Sequence, residues 1–133
     1  MRIVIDTNVL ISGVFFGGYP QRILCSVIGD KIIACATQEI VTEYNDVVRE
    51  MIERKQGSIR TDILNPLIER FKIIEAVSKP EICRDPDDDK FLGCAKDAHA
   101  LYIVSGDKDL LVLNRYEDIE IITAKNFCEK YQL

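Results

Sequence analysis

Four short, strongly apolar runs constrain this chain more than any other feature: Arg2 to Ile5, Lys31 to Cys35, Leu101 to Val104 and Ile119 to Ile122. Each gives way within two residues to Asp, Ser or Thr. Runs of this length that scarcely alternate fit strands buried on both faces. The stretches between them read as helices. Thr7 and Asn8 cap a short helix through Val9, Leu10, Ile11 and Val14, which Gly17 and Gly18 stop. Pro20 opens a second helix over Gln21 to Ile28. Thr37 caps a long helix whose Ile40, Val41, Tyr44, Val47, Val48, Met51 and Ile52 recur at spacings of three and four. After a break at Gln56-Gly57-Ser58, Thr61 or Asp62 starts a helix to about Phe71, bent or restarted near Pro66. A further strand is expected over Lys72 to Val77, then a loop from Ser78 to Asp88. Asp88 or Asp89 opens a helix with Phe91, Leu92, Cys94, Ala95 and Ala98 inside, and Thr123 caps a last one bearing Phe127, Cys128 and Tyr131. Strands that alternate with helices in this way imply an α/β fold with a mainly parallel sheet covered by helices on both faces.

The 133 residues, 47% hydrophobic and 29% charged, suit one globular domain and exclude a disordered or collagen-like chain. Five cysteines, odd in number and never spaced C-x-x-C, read as reduced core thiols. Asp6 interrupts the opening apolar run too early for a secretory signal, and no segment has the length of a membrane span, so a cytoplasmic protein is expected. Glycine-rich nucleotide motifs and H-E-x-x-H are absent. His99, the single histidine, has no serine or cysteine partner at a telling position, which argues against a histidine-based catalytic network.

A net charge of -5 speaks against a broad phosphate-binding surface, but its distribution is uneven. Seven of the twelve aspartates fall in residues 85–109, with three lysines among them. In a parallel sheet, sites form beyond the carboxyl ends of the strands. Asp6 directly follows the first strand, and Asp107 follows the fourth after Ser105 and Gly106. Asp89 starts the helix leading into that strand, and Glu43 lies in the first two turns of the helix after the second strand. Singly, each has a plain use as a cap, a turn residue or a solvated helical acid. Together they are expected at one rim, where like charges raise one another's pKa unless a cation neutralises them. Hard oxygen ligands of this kind select Mg²⁺ or Mn²⁺. Arg49, Arg54, Lys55 and Arg60 form the densest basic stretch, and Lys90 and Lys108, beside the proposed ligands, are better placed to touch phosphate.

These residues resemble the PIN domain. Ile3-Val4-Ile5-Asp6-Thr7-Asn8-Val9-Leu10, then Glu43, then Asp87-Asp88-Asp89-Lys90-Phe91-Leu92-Gly93-Cys94-Ala95, then Ile103-Val104-Ser105-Gly106-Asp107-Lys108-Asp109-Leu110 match that family's four acidic motifs in order. The likeness spans essentially all of residues 1–133 as a single PIN domain and is closest to the prokaryotic toxin components of toxin-antitoxin systems. It implies an α/β/α three-layer sandwich and a metal-dependent ribonuclease that binds Mg²⁺ or Mn²⁺ and leaves 5'-phosphate and 3'-hydroxyl ends. By motif position, Asp6, Glu43, Asp89 and Asp107 correspond to the catalytic metal-binding carboxylates and Asp109 to a further acidic position. Asp87 and Asp88 compete with Asp89, which is preferred because Phe91, Leu92 and Ala95 then face the core. Thr7, Asn8 and Ser105 match small polar positions that support the pocket. The resemblance also implies an RNA substrate, an antitoxin partner protein and a homodimer, to which Phe15, Phe16 or Tyr44 could contribute, although core packing is the simpler use of all three. Alternatives are a housekeeping PIN nuclease of RNA processing or quality control, and a non-catalytic signalling or binding domain with an acidic pocket.

Overall fold

The computed structural model describes residues 1–54 and 61–133, so Gln56-Gly57-Ser58 and the basic residues Lys55 and Arg60 lie outside the described residues. The expected alternation is present. In chain order come β1 (Arg2–Ile5), α1 (Thr7–Phe15), α2 (Gly18–Ile28), β2 (Ile33–Ala36), α3 (Gln38–Glu53), α4 (Thr61–Arg70) and β3 (Lys72–Ile73). A 3-10 turn at Pro86–Asp88 leads into α5 (Asp89–Ala98), followed by β4 (Tyr102–Val104), α6 (Lys108–Leu111), β5 (Arg115–Tyr116), β6 (Ile119–Ile122) and α7 (Ala124–Tyr131). The sheet has the order β3-β2-β1-β4-β6-β5, and every pairing is parallel except β5 with β6. Helices flank it on both faces in an α/β/α arrangement, with α5 packed on β1, β2 and β4.

Several boundaries differ from the sequence expectation. Helix α2 begins at Gly18, before Pro20, because a proline in the first turn leaves no helical bond unmade. Strand β3 ends at Ile73 rather than Val77, and the chain then leaves the sheet. Helix α4 continues through Pro66. The two-residue strand β5 and the one-turn helix α6 are additions. Of the cysteines, all free, Cys35, Cys94 and Cys128 are buried as expected, whereas Cys83 is half-buried and Cys25 exposed.

The core explains the unbroken apolar runs. Ile3, Val4, Ile5, Ala34, Cys35, Ile103 and Val104 are wholly buried, because the central strands β1, β2 and β4 have no solvent-facing side. Residues 74–85 then run as a strap across α5. Asp97 holds one end, its Oδ2 accepting from the N–H groups of Val77 and Ser78 at 2.8 and 2.9 Å and its Oδ1 from the Ser78 hydroxyl at 2.6 Å. The strap passes so close to α5 that a Cβ at Gly93 would stand 2.7 Å from the Ser78 carbonyl oxygen and 3.3 Å from Pro80 Cδ. Backbone cannot yield as a side chain does, so Gly93→Ala is expected to destabilise the fold by about 1–3 kcal/mol, read as a lower urea midpoint with an unchanged slope.

Candidate metal centre

Chain order makes β1 and β4 adjacent at the point where the connections switch direction across the sheet, and ligand sites of parallel sheets form there. Register does the rest. Ile5 pairs with Val104, and the Asp6 N–H donates to the Val104 carbonyl at 2.9 Å, so Asp6 and Ser105 leave the sheet side by side. Asp6 stands at the N-cap position of α1 without capping it. Its Oδ2 instead accepts from the Ser105 hydroxyl at 2.7 Å, and that oxygen in turn accepts from the Asp107 N–H at 2.9 Å. Ser105, fully buried, thus ties Asp6 to Asp107. Asp107 Oδ1 caps α6 by accepting from the Asp109 N–H at 2.8 Å.

Glu43 arrives from the second turn of α3. Thr37 caps that helix through the Ile40 N–H, and the buried Tyr44 donates its hydroxyl proton to the Ile5 carbonyl, which fixes α3 against the end of β1. Both Glu43 oxygens are engaged: Oε2 accepts from Thr7 Oγ1, and Oε1 lies 2.8 Å from Lys90 Nζ. The same ammonium contacts Asp87 at its Oδ1, 3.1 Å, and its carbonyl, 2.7 Å. Burial alone would lower the Lys90 pKa, but the hydrogen bonds to Glu43 and Asp87 outweigh it and raise it. Lys90 therefore neutralises one flank of the site instead of standing free for phosphate. Lys108 is exposed, while Arg49 and Arg54 pair with Asp46 and Glu50 on their own helix.

The third motif is where sequence and geometry part. Asp88, last residue of the 3-10 turn, points into the rim, whereas Asp89 turns away. Asp89 Oδ1 accepts from the N–H groups of Ile82 and Cys83 at 3.1 and 2.8 Å and holds the second end of the strap. Burial would raise the Asp89 pKa, but those hydrogen bonds bring it below its ordinary value. The expected convergence of Asp6, Glu43, Asp89 and Asp107 becomes one of Asp6, Glu43, Asp88 and Asp107, which line an open cleft of about 240 Å³ with Thr7, Asn8, Asp87, Val47 and Phe91.

Among the described residues, Asp88, Asp107 and Asp109 each present a carboxylate oxygen, all within 4.8 Å of one another. Asp88 is 9% exposed and its Oδ2 has no hydrogen-bond partner, so the fold buries an acceptor and leaves it unmatched. Such an atom is costly without a cation or a proton. Burial first, then the charges of Asp107, Asp85 and Asp6, push the Asp88 carboxyl up to about 7. Burial also raises Asp6, against the Ser105 hydrogen bond and with the charges of Asp107 and Glu43. Around a Mg²⁺-sized ion with oxygens at ~2.1 Å, ligands stand about 3 Å apart when adjacent and about 4.2 Å when opposite, so small side-chain rotations would close the trio on one. These residues could hold a hard divalent cation, with Asp6 next to it.

The raised carboxyls predict a pH dependence. Between the ordinary carboxylate value of 3.8 and about 7, the folded chain keeps a proton on Asp88 that the unfolded chain has released, so stability present at low pH is lost as pH rises through that window. In EDTA the melting temperature is expected to fall from pH 5 to pH 7.5, and Mn²⁺ is expected to restore it more strongly at the higher pH, as differential scanning fluorimetry would read.

Comparison with known proteins agrees with this architecture. The family model of the PIN domain matches residues 2–109. The chain is 32% identical to the uncharacterized protein MJ1680 of Methanocaldococcus jannaschii, across 99% of this chain and 92% of that one. Among solved structures, VapBC2 from Rickettsia felis, crystallised with a DNA fragment from its promoter, superposes with a TM-score of 0.61, covering 91% of this chain and 97% of that one at 13% identity. PAE2754 from Pyrobaculum aerophilum superposes with a TM-score of 0.62 over 98% and 88% of the two chains, also at 13% identity. At such identity the structural likeness concerns the fold.

Proposed function

Because the chain belongs to the PIN domain family, whose members are generally nucleases, we propose that it is a ribonuclease that hydrolyses RNA phosphodiester bonds with Mg²⁺ or Mn²⁺. The observation that carries this reading is the trio Asp88, Asp107 and Asp109, whose carboxylates present oxygens within 4.8 Å of one another around a buried Asp88 whose Oδ2 has no hydrogen-bond partner. Asp88, Asp107 and Asp109 would hold the cation, with Asp6 as a further ligand. When bound, it supplies Lewis acidity toward the scissile phosphate and toward the attacking water.

The chain's own groups prepare the site. Ser105 fixes Asp6 relative to Asp107, and Lys90 with Thr7 holds Glu43 at the edge of the cleft. Glu43, its oxygens already engaged, lines the site and orients groups there. Lys108, exposed beside Asp107, contacts the RNA backbone. Asn8 offers an exposed carboxamide at the mouth.

The protein acts as the toxin of a toxin-antitoxin pair, bound in the cell by an antitoxin protein; likeness in fold to the Rickettsia felis VapBC2 supports this. A homodimer would cover Phe16, which is 63% exposed, whereas Phe15 and Tyr44 belong to the core. Free thiols on all five cysteines suit the cytoplasm. Among the described residues, no helix is long and apolar enough to cross a membrane.

The test is cleavage of a labelled single-stranded RNA panel with Mn²⁺, with EDTA, and by a folded Asp107→Asn protein. Cutting confined to the first condition supports the reading; equal cutting in all three contradicts it.

A further inference from the structure

We propose that a second cleft, on the other side of Asp107, receives the ribonucleotide that flanks the scissile phosphate, and that Gly106 lacks a side chain so that this nucleotide can approach. The proposal rests on the nuclease reading above and adds to it a subsite of defined chemistry. The cleft, of about 300 Å³, shares Asn8 and Asp107 with the acidic cleft, and Ser12 and Thr123 supply the hydroxyls of its wall. Asp107 is the only charged side chain there. Hydroxyls and a carboxamide pair with ribose hydroxyls and base edges, whereas a further phosphate would call for Lys or Arg. Another cleft that shares Asp87 with the acidic one is built differently, with Glu39, Asp87 and Asp89 beside Lys79 and Lys90 in its wall. Of the two clefts beside the acidic one, only the cleft at Gly106 offers mainly neutral hydrogen-bonding groups.

Gly106 is the specific sign. Glycine is usually required by a left-handed backbone or by a close neighbour. Neither applies: its φ lies outside the left-handed region, unlike Gly17 and Gly18, and a Cβ built on it would meet nothing within 4 Å. Gly93 is the internal contrast, where a Cβ would collide with the Ser78 carbonyl. The fold tolerates a side chain at position 106, yet the residue is exposed in the cleft wall between Ser105 and Asp107. A methyl group there would meet only a molecule occupying the cleft.

The test compares Gly106→Ala, Gly106→Val and, from the facing wall, Ser12→Leu with the unmodified protein. Gly106→Ala and Gly106→Val, at an exposed position, are expected to melt within about 2 °C of it and Ser12→Leu, at a half-buried one, within about 5 °C, and all three to bind Mn²⁺ within about twofold. On single-stranded RNA, kcat/KM is expected to fall about tenfold for Gly106→Ala and Ser12→Leu and about a hundredfold for Gly106→Val, mainly through KM, because the flanking nucleotide is displaced. Hydrolysis of bis(p-nitrophenyl) phosphate, which has no flanking nucleotide, is expected to stay within about twofold. Normal RNA cleavage by Gly106→Val, or equal loss on both substrates, overturns the proposal and leaves the nuclease reading intact. An unmodified protein that cuts neither substrate with Mn²⁺ overturns both. Should Gly106→Val melt early, Gly106→Ala and Ser12→Leu decide the matter.

Discussion

Replacing Asp88 by Asn is expected to reduce Mn²⁺-dependent RNA cleavage by on the order of a hundredfold or more, while Asp89→Asn leaves it within a few-fold of the unmodified protein. The two carboxylates are neighbours in sequence but serve different ends. Asp88 carries a buried oxygen with no partner and stands with Asp107 and Asp109 at the rim, whereas Asp89 spends its oxygen on the Ile82 and Cys83 N–H groups. Asparagine at position 88 keeps the shape and removes the charge that a cation needs. It also removes a carboxyl that burial and neighbouring acids disfavour as an anion, so in EDTA at pH 7.5 the Asp88→Asn protein is expected to melt above the unmodified one. Loss of activity with gain of stability separates a ligand from a structural residue. Asp89→Asn should show the converse: near-normal cleavage with a loss of about 1 kcal/mol from the weakened strap anchor. RNA cleavage assays and thermal melts of the two variants decide between them.

The largest effect on stability is expected at Phe91, where truncation to Ala should cost about 3–5 kcal/mol in urea unfolding and replacement by Leu under about 1.5 kcal/mol. Phe91 is 1% exposed, lies one helical turn after Asp88 and forms part of the cleft wall. Truncation removes the packing that seats the start of α5 against β1, β2 and β4. Asp88 depends on that seating, so Phe91→Ala is also expected to weaken Mn²⁺ binding by about tenfold, measured by calorimetry at a temperature where the variant is still folded.

Where the sequence was readable, physical reasons are evident. Strands β1 and β4 carry short apolar runs because their faces are covered, and the acidic rim follows from a parallel register that sets Ile5 beside Val104. The sequence expectation for β3 runs to Val77 because Ile74 and Val77 look strand-like, yet Val77 is 75% exposed in a strap that leaves the sheet. A two-residue antiparallel strand such as β5 has no periodicity to read. Helix α6 hid inside the Ser105-Gly106-Asp107 turn, whose last residue caps it. That Asp88 rather than Asp89 lines the rim has a signal in the sequence. Asp88 stands three, four and seven residues before Phe91, Leu92 and Ala95, which is the inward stripe of α5, so its side chain shares their face. That Asp89 is drawn off by the N–H groups of Ile82 and Cys83 depends on the path of residues 74–85, for which local sequence carries no signal.

Diffraction from a manganese-soaked crystal at the manganese absorption edge addresses the central claim most directly. One anomalous peak is expected in the acidic cleft, at ~2.1–2.2 Å from carboxylate oxygens of both Asp88 and Asp107. A peak held by Asp89 instead, or a cleft that stays dark while Mn²⁺ binds elsewhere on the protein, would contradict it.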